Sequence, residues 1–246
     1  MSDPKTCDQA TGGRRGKASW LLWVDGARSP ALNMAIDEAL LIRAPLQGRP
    51  VLRFYSWDRP AVSIGYVQRY RAAFREGYTV VRRPTGGGIV NHDFDITYSV
   101  AVPSGHPVAQ VDRMESYNLI NRAVHAGIAN RHARAVLTER RIPKSIDRST
   151  MVCFQQPTRY DVVDGDRKLA GSAQRRTRDG VLHQGSINLG PLDAGAREEI
   201  RSRVVAGFVE QLGAEFEHLV PTEDLMALSR RLEAERYGNR DWTHRR

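Results

Sequence analysis

Three consecutive glycines constrain the fold of this sequence more than any other feature. They stand in the stretch RRPTGGGIVNHD, residues 82–93. Glycine gives up side-chain packing and loses more entropy on folding than other residues, so such a run indicates a sharp turn or backbone lying against another group. Arg82 and Arg83 directly precede it and favour an anionic or elongated ligand beside the backbone. A purely structural turn remains the alternative.

The glycine segment matches neither of the common phosphate-binding loops. Gly88 is followed by Ile89 and Val90, whereas the GxxxxGK[ST] loop needs a lysine and a hydroxyl residue after its last glycine. The segment is also not a GxGxxG pattern that opens a helix. Hydrolysis of a nucleoside triphosphate is therefore not expected.

His92 and Asp93 close the same stretch and could suggest metal ligands. A second histidine or cysteine at ligand spacing is lacking, and His183 lies far along the chain without a partner motif. Histidines in such settings are more often hydrogen-bonded structural residues. The sequence predicts no metal site.

Positive charge is concentrated in one part of the chain. Lys and Arg number 37 against 28 Asp and Glu. Residues 131–148 contribute Arg131, Arg134, Arg140, Arg141, Lys144 and Arg148, against only Glu139 and Asp147. Such a surface attracts polyanions, but charge alone does not decide between nucleic acid, a small acidic carrier protein and a solvated arginine-rich face.

Cysteine content and the N-terminal sequence indicate the compartment. Cys7 and Cys153 are too few for a disulfide framework. No run approaches the ~18 apolar residues of a membrane span, and the polar start lacks the apolar centre of a secretory signal. We therefore expect a cytoplasmic protein with a flexible basic tail at residues 1–19 and a single domain at residues 20–246.

Helical and extended patterns follow one another without regular alternation. A helix is predicted from Ser29, its cap, and Pro30, its first residue, and further helices at residues 111–131, 193–213 and 222–238. Short strands are predicted at VLRFYSW and AVSIGYV, joined by a turn, and at DITYSVAVP and GVLHQGSINL. This order predicts one α+β domain, a mostly antiparallel mixed sheet with packed helices.

A β-hairpin is predicted at residues 160–173, YDVVDGDRKLAGSA, with Asp164-Gly165 as the two-residue turn. That register places Asp161 opposite Lys168, so an exposed ion pair worth ~0.5 kcal/mol would explain the lysine. The small residues that follow, Gly171, Ser172 and Ala173, would instead allow a ligand to approach closely.

Cys153, in MVCFQQP, has two interpretations. An unpaired cysteine is usually a small buried apolar residue. It becomes a nucleophile when a nearby cationic side chain favours the thiolate, and the sequence alone leaves both possibilities open.

Three motifs occur in one order and spacing: RRPTGGGIVNHD, GDRKLAGSAQ and LHQGSINL. In this combination the chain, from about Trp20 onward, resembles the lipoate ligase and octanoyltransferase family, which shares its catalytic fold with the biotin ligases. The resemblance implies that the glycine segment borders an acyl pocket. It also implies that Lys168 lies near the acyl carbonyl.

Within that family, CFQQPTRYDVV ahead of GDRKLAGSAQ is similar to the cysteine-dependent octanoyltransferases. Their cysteine carries the acyl group as a thioester and their motif lysine lowers the pKa of the thiol, which implies Cys153 and Lys168 as the catalytic residues. The motifs also imply these substrate-binding residues: Arg82, Arg83, Thr85, Gly86, Gly87, Gly88, His92, Gly171, Ser172, Ala173, His183 and Gly185.

The resemblance implies a reaction and its partners. An octanoyl group would pass from octanoyl-acyl carrier protein through the cysteine to a lysine of a lipoyl-domain protein, such as the glycine cleavage H protein, in lipoate biosynthesis. Exchange between thioesters needs no ATP, so no cofactor is expected. Both partners are characteristically acidic, which makes the basic segment the expected docking surface and argues against nucleic acid or membrane as partners.

Gly88 departs from this pattern, because these octanoyltransferases commonly have an arginine there. A glycine favours the ATP-dependent lipoate ligases instead. Two further alternatives are an amidotransferase that moves octanoyl between lipoyl domains, also through cysteine, and an idle relative that only binds lipoyl domains. An idle relative would need neither Cys153 nor Lys168.

Overall fold

The structure is a computed structural model that describes residues 18–141, 146–147 and 149–246. Most of the predicted tail, with Cys7, therefore lies outside the described residues, and so do Lys144 and Arg148 of the basic segment. The first described strand begins at Ala18.

The described residues form strands and helices in mixed order. The strands are β1 Ala18–Arg28, β2 Val51–Trp57, β3 Ala61–Ile64, β4 Thr79–Arg82, β5 Val90–Asn91, β6 Ile96–Pro103, β7 Val136–Leu137, β8 Val162–Asp164, β9 Arg167–Arg176, β10 Gly180–Ile187 and β11 Ala214–His218. The helices are α1 Pro30–Gln47, α2 Pro107–Gln110, α3 Arg113–Ala129, α4 Ala194–Leu212, α5 Glu223–Leu232 and α6 Arg240–His244. Short 3₁₀ turns lie at Tyr70–Ala73 and Cys153–Gln155, and a π-helical turn at Glu233–Tyr237 follows α5.

The strands form two sheets. The larger has the order β11-β1-β2-β6-β10-β9-β8-β7, and the smaller has the order β4-β3-β5. Within the described residues, β1 pairs in parallel with β11 and β2, and β3 pairs in parallel with β4. The remaining pairs are antiparallel. The predicted α+β class with a mostly antiparallel mixed sheet is confirmed.

Helices cover both faces of the larger sheet. One core packs α3 and α4 against strand residues such as Leu52 and Tyr98, and a second packs α1 and α5 against neighbours such as Val51 and Tyr55. Successive residues of a strand point to opposite faces, so β2 serves both cores. None of the described helices is long and apolar enough to cross a membrane.

Helix α1 begins as the sequence predicts. The Ser29 Oγ accepts a hydrogen bond from the Leu32 amide at 3.1 Å, and Pro30 occupies the first turn, where a missing amide proton costs nothing. Gly48 ends the helix in the left-handed region, at φ +67°.

The two strands predicted at residues 51–57 and 61–67 form, but they do not pair with each other. β2 lies between β1 and β6 in the larger sheet, whereas β3 lies between β4 and β5 in the smaller one. Pro60, which separates them, cannot donate a ladder hydrogen bond and favours a break in the pairing. Strands β1, β4, β5, β7 and β11 were not predicted from the sequence.

The predicted hairpin forms with a different register. Asp164 pairs with Arg167, so the turn residues are Gly165 and Asp166 rather than Asp164 and Gly165. Gly165 has φ +61°, and a glycine at the first central position is typical of a type II′ turn. A further irregularity between Val162 and Val163 shifts the pairing again. Asp161 is therefore not directly opposite Lys168 in the ladder.

Two glycines let α3 and α4 approach closely. A Cβ atom on Gly207 would lie 2.1 Å from the Ala123 carbonyl oxygen, and one on Gly127 would lie 2.7 Å from backbone atoms of Val204. Such distances are below any van der Waals contact, so the helix pair depends on both residues.

Replacement of Gly207 by alanine is expected to lower the free energy of unfolding by about 1–3 kcal/mol, because the added methyl forces the helices apart. The matched control is Gly195→Ala in the same helix, where the nearest atom, Asp193 Oδ1, would be 3.5 Å away. That control should be neutral or slightly stabilising. Urea denaturation of both variants decides, and equal stabilities would contradict the packing argument.

Candidate active site

Cys153 lies at the start of a 3₁₀ turn directly beside the glycine segment. The Ile89 amide donates to the Met151 carbonyl at 2.8 Å, and the Cys153 amide donates to the Ile89 carbonyl at 2.9 Å. These two bonds make a parallel bridge between Ile89 and Val152. The backbone of the glycine segment thus holds the cysteine in place.

Gly88 and Gly65 are required by the same close approach. A Cβ on Gly88 would lie 2.6 Å from the Met151 carbonyl oxygen and 2.7 Å from the Cys153 nitrogen. A Cβ on Gly65 would lie 2.2 Å from the Gly87 carbonyl oxygen. Gly88, which distinguishes this sequence from the arginine-bearing pattern, is therefore explained by the packing of the cysteine segment.

Lys168 reaches Cys153 directly. Its Nζ donates to Cys153 Sγ at 3.2 Å and to the Cys153 carbonyl oxygen at 3.2 Å. Burial disfavours the charge on Lys168, but the charges of Cys153 and Asp161 outweigh it and raise the pKa of Lys168 above its usual value. The lysine therefore stays an ammonium at neutral pH, and an ammonium beside sulfur stabilises a thiolate.

Asp161 completes the charge balance at this point. Its Oδ2 lies 2.7 Å from Lys168 Nζ, and both side chains are buried. The prediction of a weak, exposed ion pair is therefore wrong, because the Lys168–Asp161 pair is buried. Gly171 makes room for it, because a Cβ there would lie 2.4 Å from Lys168 Nζ. Asp161 also accepts hydrogen bonds from the amide and hydroxyl of Thr158.

Arg83 shapes the glycine segment from inside. Its guanidinium donates to the carbonyl oxygens of Gly86 and Gly88, each at 2.7 Å, and to the Ser63 carbonyl at 3.0 Å. These bonds curl the loop around the arginine. The amide groups of Gly87 and Gly88 donate to no other described residue, so they remain free to meet a ligand.

Arg82 faces a different part of the molecule. It donates to the carbonyl oxygens of Gly65, Gln68 and Thr243, among others, and so ties β4 to helix α6. Burial, with the charges of Arg245 and Arg246, lowers the pKa of Arg82 to about 10. Arg82 is not among the residues that line the cavity at Cys153. The structure therefore does not place Arg82 where a ligand in that cavity would contact it.

A narrow cavity opens at Cys153 between the larger sheet and the glycine segment. Its volume is about 40 Å³, room for roughly three water molecules. Apolar surface dominates the wall, which consists of Met34, Tyr55, Trp57, Ser63, Arg83, Gly87, Val90, His92, Thr97, Cys153, Gly171, Ser172, Ala173, Gln184, Gly185 and Ser186. A narrow apolar slot that ends at a sulfur suits an alkyl chain.

One wall of the cavity carries a chain of polar side chains. His92 Nε2 lies 2.8 Å from Ser63 Oγ, and its Nδ1 lies 2.9 Å from Asp95 Oδ2. Burial disfavours the charge of Asp95, but the bond from His92 and two hydroxyl groups holds the pKa of Asp95 below its usual value. Ser63, His92 and Asp95 are therefore connected in the same order as the serine, histidine and aspartate of a hydrolase catalytic triad. Arg83 Nη1, however, also donates to Ser63 Oγ at 3.1 Å, and a hydrogen bond from a cation lowers the nucleophilicity of that oxygen.

A buried network supports the cavity from the α1 side. Thr85 Oγ1 donates to Gln184 Oε1 at 2.7 Å, and Gln184 Nε2 donates to Asp37 Oδ2 at 2.8 Å. Asp37 in turn accepts from Arg53 Nη1 at 2.8 Å. Thr85 acts through Gln184 rather than at the cavity surface, because the hydroxyl is already used.

His183 and Gly185 lie on the opposite face of β10 from this network. His183 is fully buried, its Nδ1 lies 3.0 Å from Gln174 Nε2, and burial lowers the pKa of His183 to about 3. A Cβ on Gly185 would lie 2.1 Å from the Tyr98 ring, so that glycine accommodates the tyrosine. The structure keeps His183 away from the cavity, while Gly185 contributes backbone to its wall.

The predicted site residues therefore fall into three groups. Around the cavity lie Cys153, Arg83, Gly87, His92, Gly171, Ser172, Ala173 and Gly185. Behind it, shaping the loop or contacting the cysteine, lie Lys168, Thr85, Gly86 and Gly88. Away from it lie Arg82 and His183.

Sequence reasoning missed eight residues of the wall. Val90, Thr97, Gln184 and Ser186 lie within motifs or strands that the sequence predicted, and the other four are Met34, Tyr55, Trp57 and Ser63. Tyr55 and Trp57 stand two apart in β2 and so share one face of the strand, which is a readable signal. The other two carry no such signal. Among the described residues, no group of three or more potential ligands could hold a metal ion.

The Gly88→Ala variant should disturb Cys153 because the added methyl meets the backbone that carries the sulfur. We expect a loss of about 1–3 kcal/mol in unfolding free energy and slower alkylation of Cys153 by iodoacetamide at pH 7. Gly86→Ala is the matched control, since nothing lies within 4 Å of a Cβ there. If both variants behave like the native protein, the packing account of Gly88 is wrong.

Lys168→Met should cost about 3–5 kcal/mol of stability, because it leaves the Asp161 carboxylate buried without its counter-charge. Alkylation of Cys153 at pH 7 should slow about tenfold, the effect of ~1.4 kcal/mol on the thiolate. In the double variant Lys168→Met/Asp161→Asn, stability should partly return while alkylation stays slow. Native-like alkylation in Lys168→Met would exclude a role for the ammonium.

Comparison with known proteins places these features in a family. The lipoyl protein ligase A/B catalytic domain matches residues 29–207, well over half of the chain. The octanoyltransferase LipM of Kyrpidia tusciae is 40% identical over 182 residues, which are 70% of this chain and 66% of that protein. The octanoyltransferase LipM of Carboxydothermus hydrogenoformans is 34% identical over 259 residues, covering 88% of this chain and 95% of that protein.

The fold is also similar to that of solved structures. In the structure of a bi-partite lipoate protein ligase and its E2 lipoyl domain from Thermoplasma acidophilum, the match covers 92% of this chain and 96% of that chain, with a TM-score of 0.70 and 22% identity. The chain belongs to the lipoyl protein ligase A/B catalytic-domain family, and within it to the octanoyltransferases, which are acyl-transferring enzymes.

Proposed function

We propose that this protein transfers an octanoyl group from octanoyl-acyl carrier protein to Cys153, and from Cys153 to a lysine of a lipoyl-domain protein, in lipoate biosynthesis. The observation that carries the proposal is the 3.2 Å contact between Lys168 Nζ and Cys153 Sγ at the cavity. Octanoyltransferase relatives with 34% and 40% identity support the identity of the acyl group.

In the first half-reaction, the Cys153 thiolate attacks the carbonyl carbon of the donor thioester. A carbon–sulfur bond to Cys153 forms, and the bond to the carrier sulfur breaks. One thioester replaces another of similar energy, so the step needs no ATP and stores the acyl group in a reactive form.

The tetrahedral intermediate carries a negative oxygen that needs hydrogen-bond donors. Lys168 Nζ is one candidate, because it already lies beside the sulfur. The free amide groups of Gly87 and Gly88 are the others, since Arg83 turns the carbonyl groups of the same loop away. Donors fixed in a dry site stabilise a developing oxyanion strongly.

Lys168 also handles the protons. In the resting enzyme the charges of Cys153 and Asp161 raise the pKa of Lys168. Acylation removes the charge on Cys153, while burial and Asp161 remain, so the ammonium becomes a stronger acid. It can then protonate the departing carrier thiolate.

In the second half-reaction, the incoming lysine of the lipoyl domain first loses its ammonium proton to solvent, and the neutral Lys168 amine accepts the further proton that leaves the nitrogen when this incoming lysine reacts. That lysine attacks the Cys153 thioester, an amide forms and the cysteine leaves as a thiolate. The cycle thereby restores the original ammonium–thiolate pair. Because an amide is more stable than a thioester, the transfer is downhill.

The acyl chain would occupy the apolar slot beside Trp57 and Met34. The slot is smaller than an eight-carbon chain, so its walls must move apart when the substrate enters. The glycine segment is a suitable moving wall, because Gly87 is exposed and in the left-handed region at φ +83°.

The finer assignments follow from chemistry. A carrier protein supplies octanoate as a thioester, which matches thiolate attack, and a lipoyl domain such as that of the glycine cleavage H protein supplies an exposed lysine. Because the proposed donor is an acyl carrier protein, the proposed reaction takes place in the cytoplasm. No step requires a cofactor.

Gly88 gives no independent support to an ATP-dependent ligase. A glycine is needed there in any case, because Cys153 packs on its backbone. A ligase would also leave Cys153 without a task.

Intact-protein mass spectrometry tests the proposal. Native protein mixed with octanoyl-acyl carrier protein, without ATP, should gain the mass of one octanoyl group, and Cys153→Ala should gain nothing. Cys153→Ser should still bind the carrier but should not pass octanoate to a lipoyl domain.

Two outcomes would contradict the proposal. Modification of a lipoyl domain by free octanoate and ATP, without an acyl-enzyme, would identify a ligase. Acylation of Cys153 by an octanoylated lipoyl domain but not by the carrier protein would identify an amidotransferase.

A further inference from the structure

A second cleft lies beside the segment that carries Cys153. Its volume is about 670 Å³, and it is lined by Val67, Arg69, Tyr70, Arg71, Ser149, His244 and Arg246. The Tyr70 ring stacks on His244 at 3.7 Å between centroids, which closes one side of the cleft. Cationic and hydroxyl side chains predominate, so the cleft suits an anion.

The positive charge of this cleft is poorly compensated. In the described part of the chain Arg71 forms no ion pair. Asp147 lies near Arg69, and hydrogen bonds from Ser149 together with the charge of Arg69 lower the pKa of Asp147. The charge of Arg246 helps to lower the pKa of the neighbouring Arg82, which indicates a positive local potential. Such a cleft attracts negative groups from solution.

The predicted docking segment, in contrast, is largely neutralised. Arg131 pairs with Glu199, Arg134 with Asp164 and Arg140 with Asp166, at 2.8 to 3.2 Å. Arginines that already hold a carboxylate have less to offer an acidic partner. Arg141 of that segment forms no ion pair with the described residues, and neither do Arg69, Arg71 and Arg246 at the cleft.

The cleft is connected to the active site by a short piece of backbone. The Arg69 amide donates to the Ser149 carbonyl at 3.0 Å, and the Gln68 side chain donates to the Met151 carbonyl at 2.7 Å. From Ser149 to Cys153 the chain advances four residues, at most ~14 Å. An extended phosphopantetheine arm can bridge that gap.

We propose that this cleft, around Arg69, Arg71 and Ser149, binds the phosphodiester of the phosphopantetheine arm of the octanoyl donor. The proposal rests on the proposed function and names the group by which the donor is held. Guanidinium donors match phosphate oxygens, whereas the Ser149 hydroxyl already donates to Asp147 Oδ2 at 2.8 Å. A lipoyl-domain lysine carries no phosphate, so the chemistry of the cleft selects the donor and not the acceptor.

The surface beside the cleft fits a carrier protein around that arm. Val67 is 44% exposed and Phe74 is 68% exposed, and they flank the Tyr70–Ala73 turn. Apolar side chains among arginines complement a helix that has both apolar and acidic residues. The phosphate enters the cleft while the arm leads its thioester to Cys153.

The test measures acylation of Cys153 by three donors: octanoyl-acyl carrier protein, octanoyl-phosphopantetheine and octanoyl-pantetheine. The last lacks the phosphate. In Arg69→Glu/Arg71→Glu, we expect kcat/KM to fall at least about tenfold for the two phosphate-bearing donors, mainly through KM, and to stay unchanged for octanoyl-pantetheine. The loss should shrink as salt is added to both proteins, because screening weakens the native contact.

The matched control is Arg178→Glu/Arg230→Glu, which makes the same charge change at side chains that are 95% and 55% exposed elsewhere. It should acylate at the native rate with every donor. A third variant, Arg134→Glu/Arg140→Glu, tests the competing surface and should also behave like the native protein.

Several results would overturn the proposal. An equal loss with all three donors would mean damage to the active site, and a loss with the carrier protein alone would mean protein docking without phosphate recognition. No loss, or a loss confined to Arg134→Glu/Arg140→Glu, would place the donor elsewhere. Native protein that none of the three donors acylates would instead refute the proposed function itself.

Discussion

The buried contact of Lys168 with Cys153 and Asp161 is the interaction on which the rest of this structure depends. A lone ammonium inside a protein would be costly, and here the Asp161 carboxylate and the Cys153 sulfur compensate it. In the proposed reaction the same balance serves the chemistry, because the sulfur carries no charge while it is acylated. The lysine then becomes more acidic and recovers its proton when the acyl group leaves. Structural compensation and catalytic proton transfer are therefore one arrangement.

Glycines make this arrangement sterically possible. Gly171 leaves space for the lysine, Gly88 lets the cysteine backbone lie on the loop, and Gly65 lets the loop itself pass. Each position places a Cβ within 2.6 Å of another atom, so a larger residue would move one member of the catalytic group. Arg83 adds the complementary constraint, since it holds the loop carbonyl groups inward and leaves amide groups for the substrate.

Charge on this protein has two separate uses. Inside, arginines such as Arg53 and Arg83 are hydrogen-bonded and hold backbone or carboxylates in place. Outside, Arg131, Arg134 and Arg140 of the basic segment are paired with acids, while among the described residues Arg71 at the cleft has no ion pair. Every arginine contributes the same charge to the net charge of the sequence. Whether that charge is available to a partner depends on which carboxylates lie within ion-pair distance of the arginine.

The sequence by itself determined the α+β class, the capped helix at Ser29, the hairpin and the family, because these depend on local periodicity, turn residues and linked motifs. It also singled out Cys153 and Lys168. Only the tertiary structure decided that they touch, that Arg82 and His183 serve the fold, and that β1 and β11 join one sheet. Contacts between distant segments depend on packing and exact register, and moving the hairpin turn by one residue changed the ladder partner of Lys168 from Asp161 to Val163, two residues along the strand.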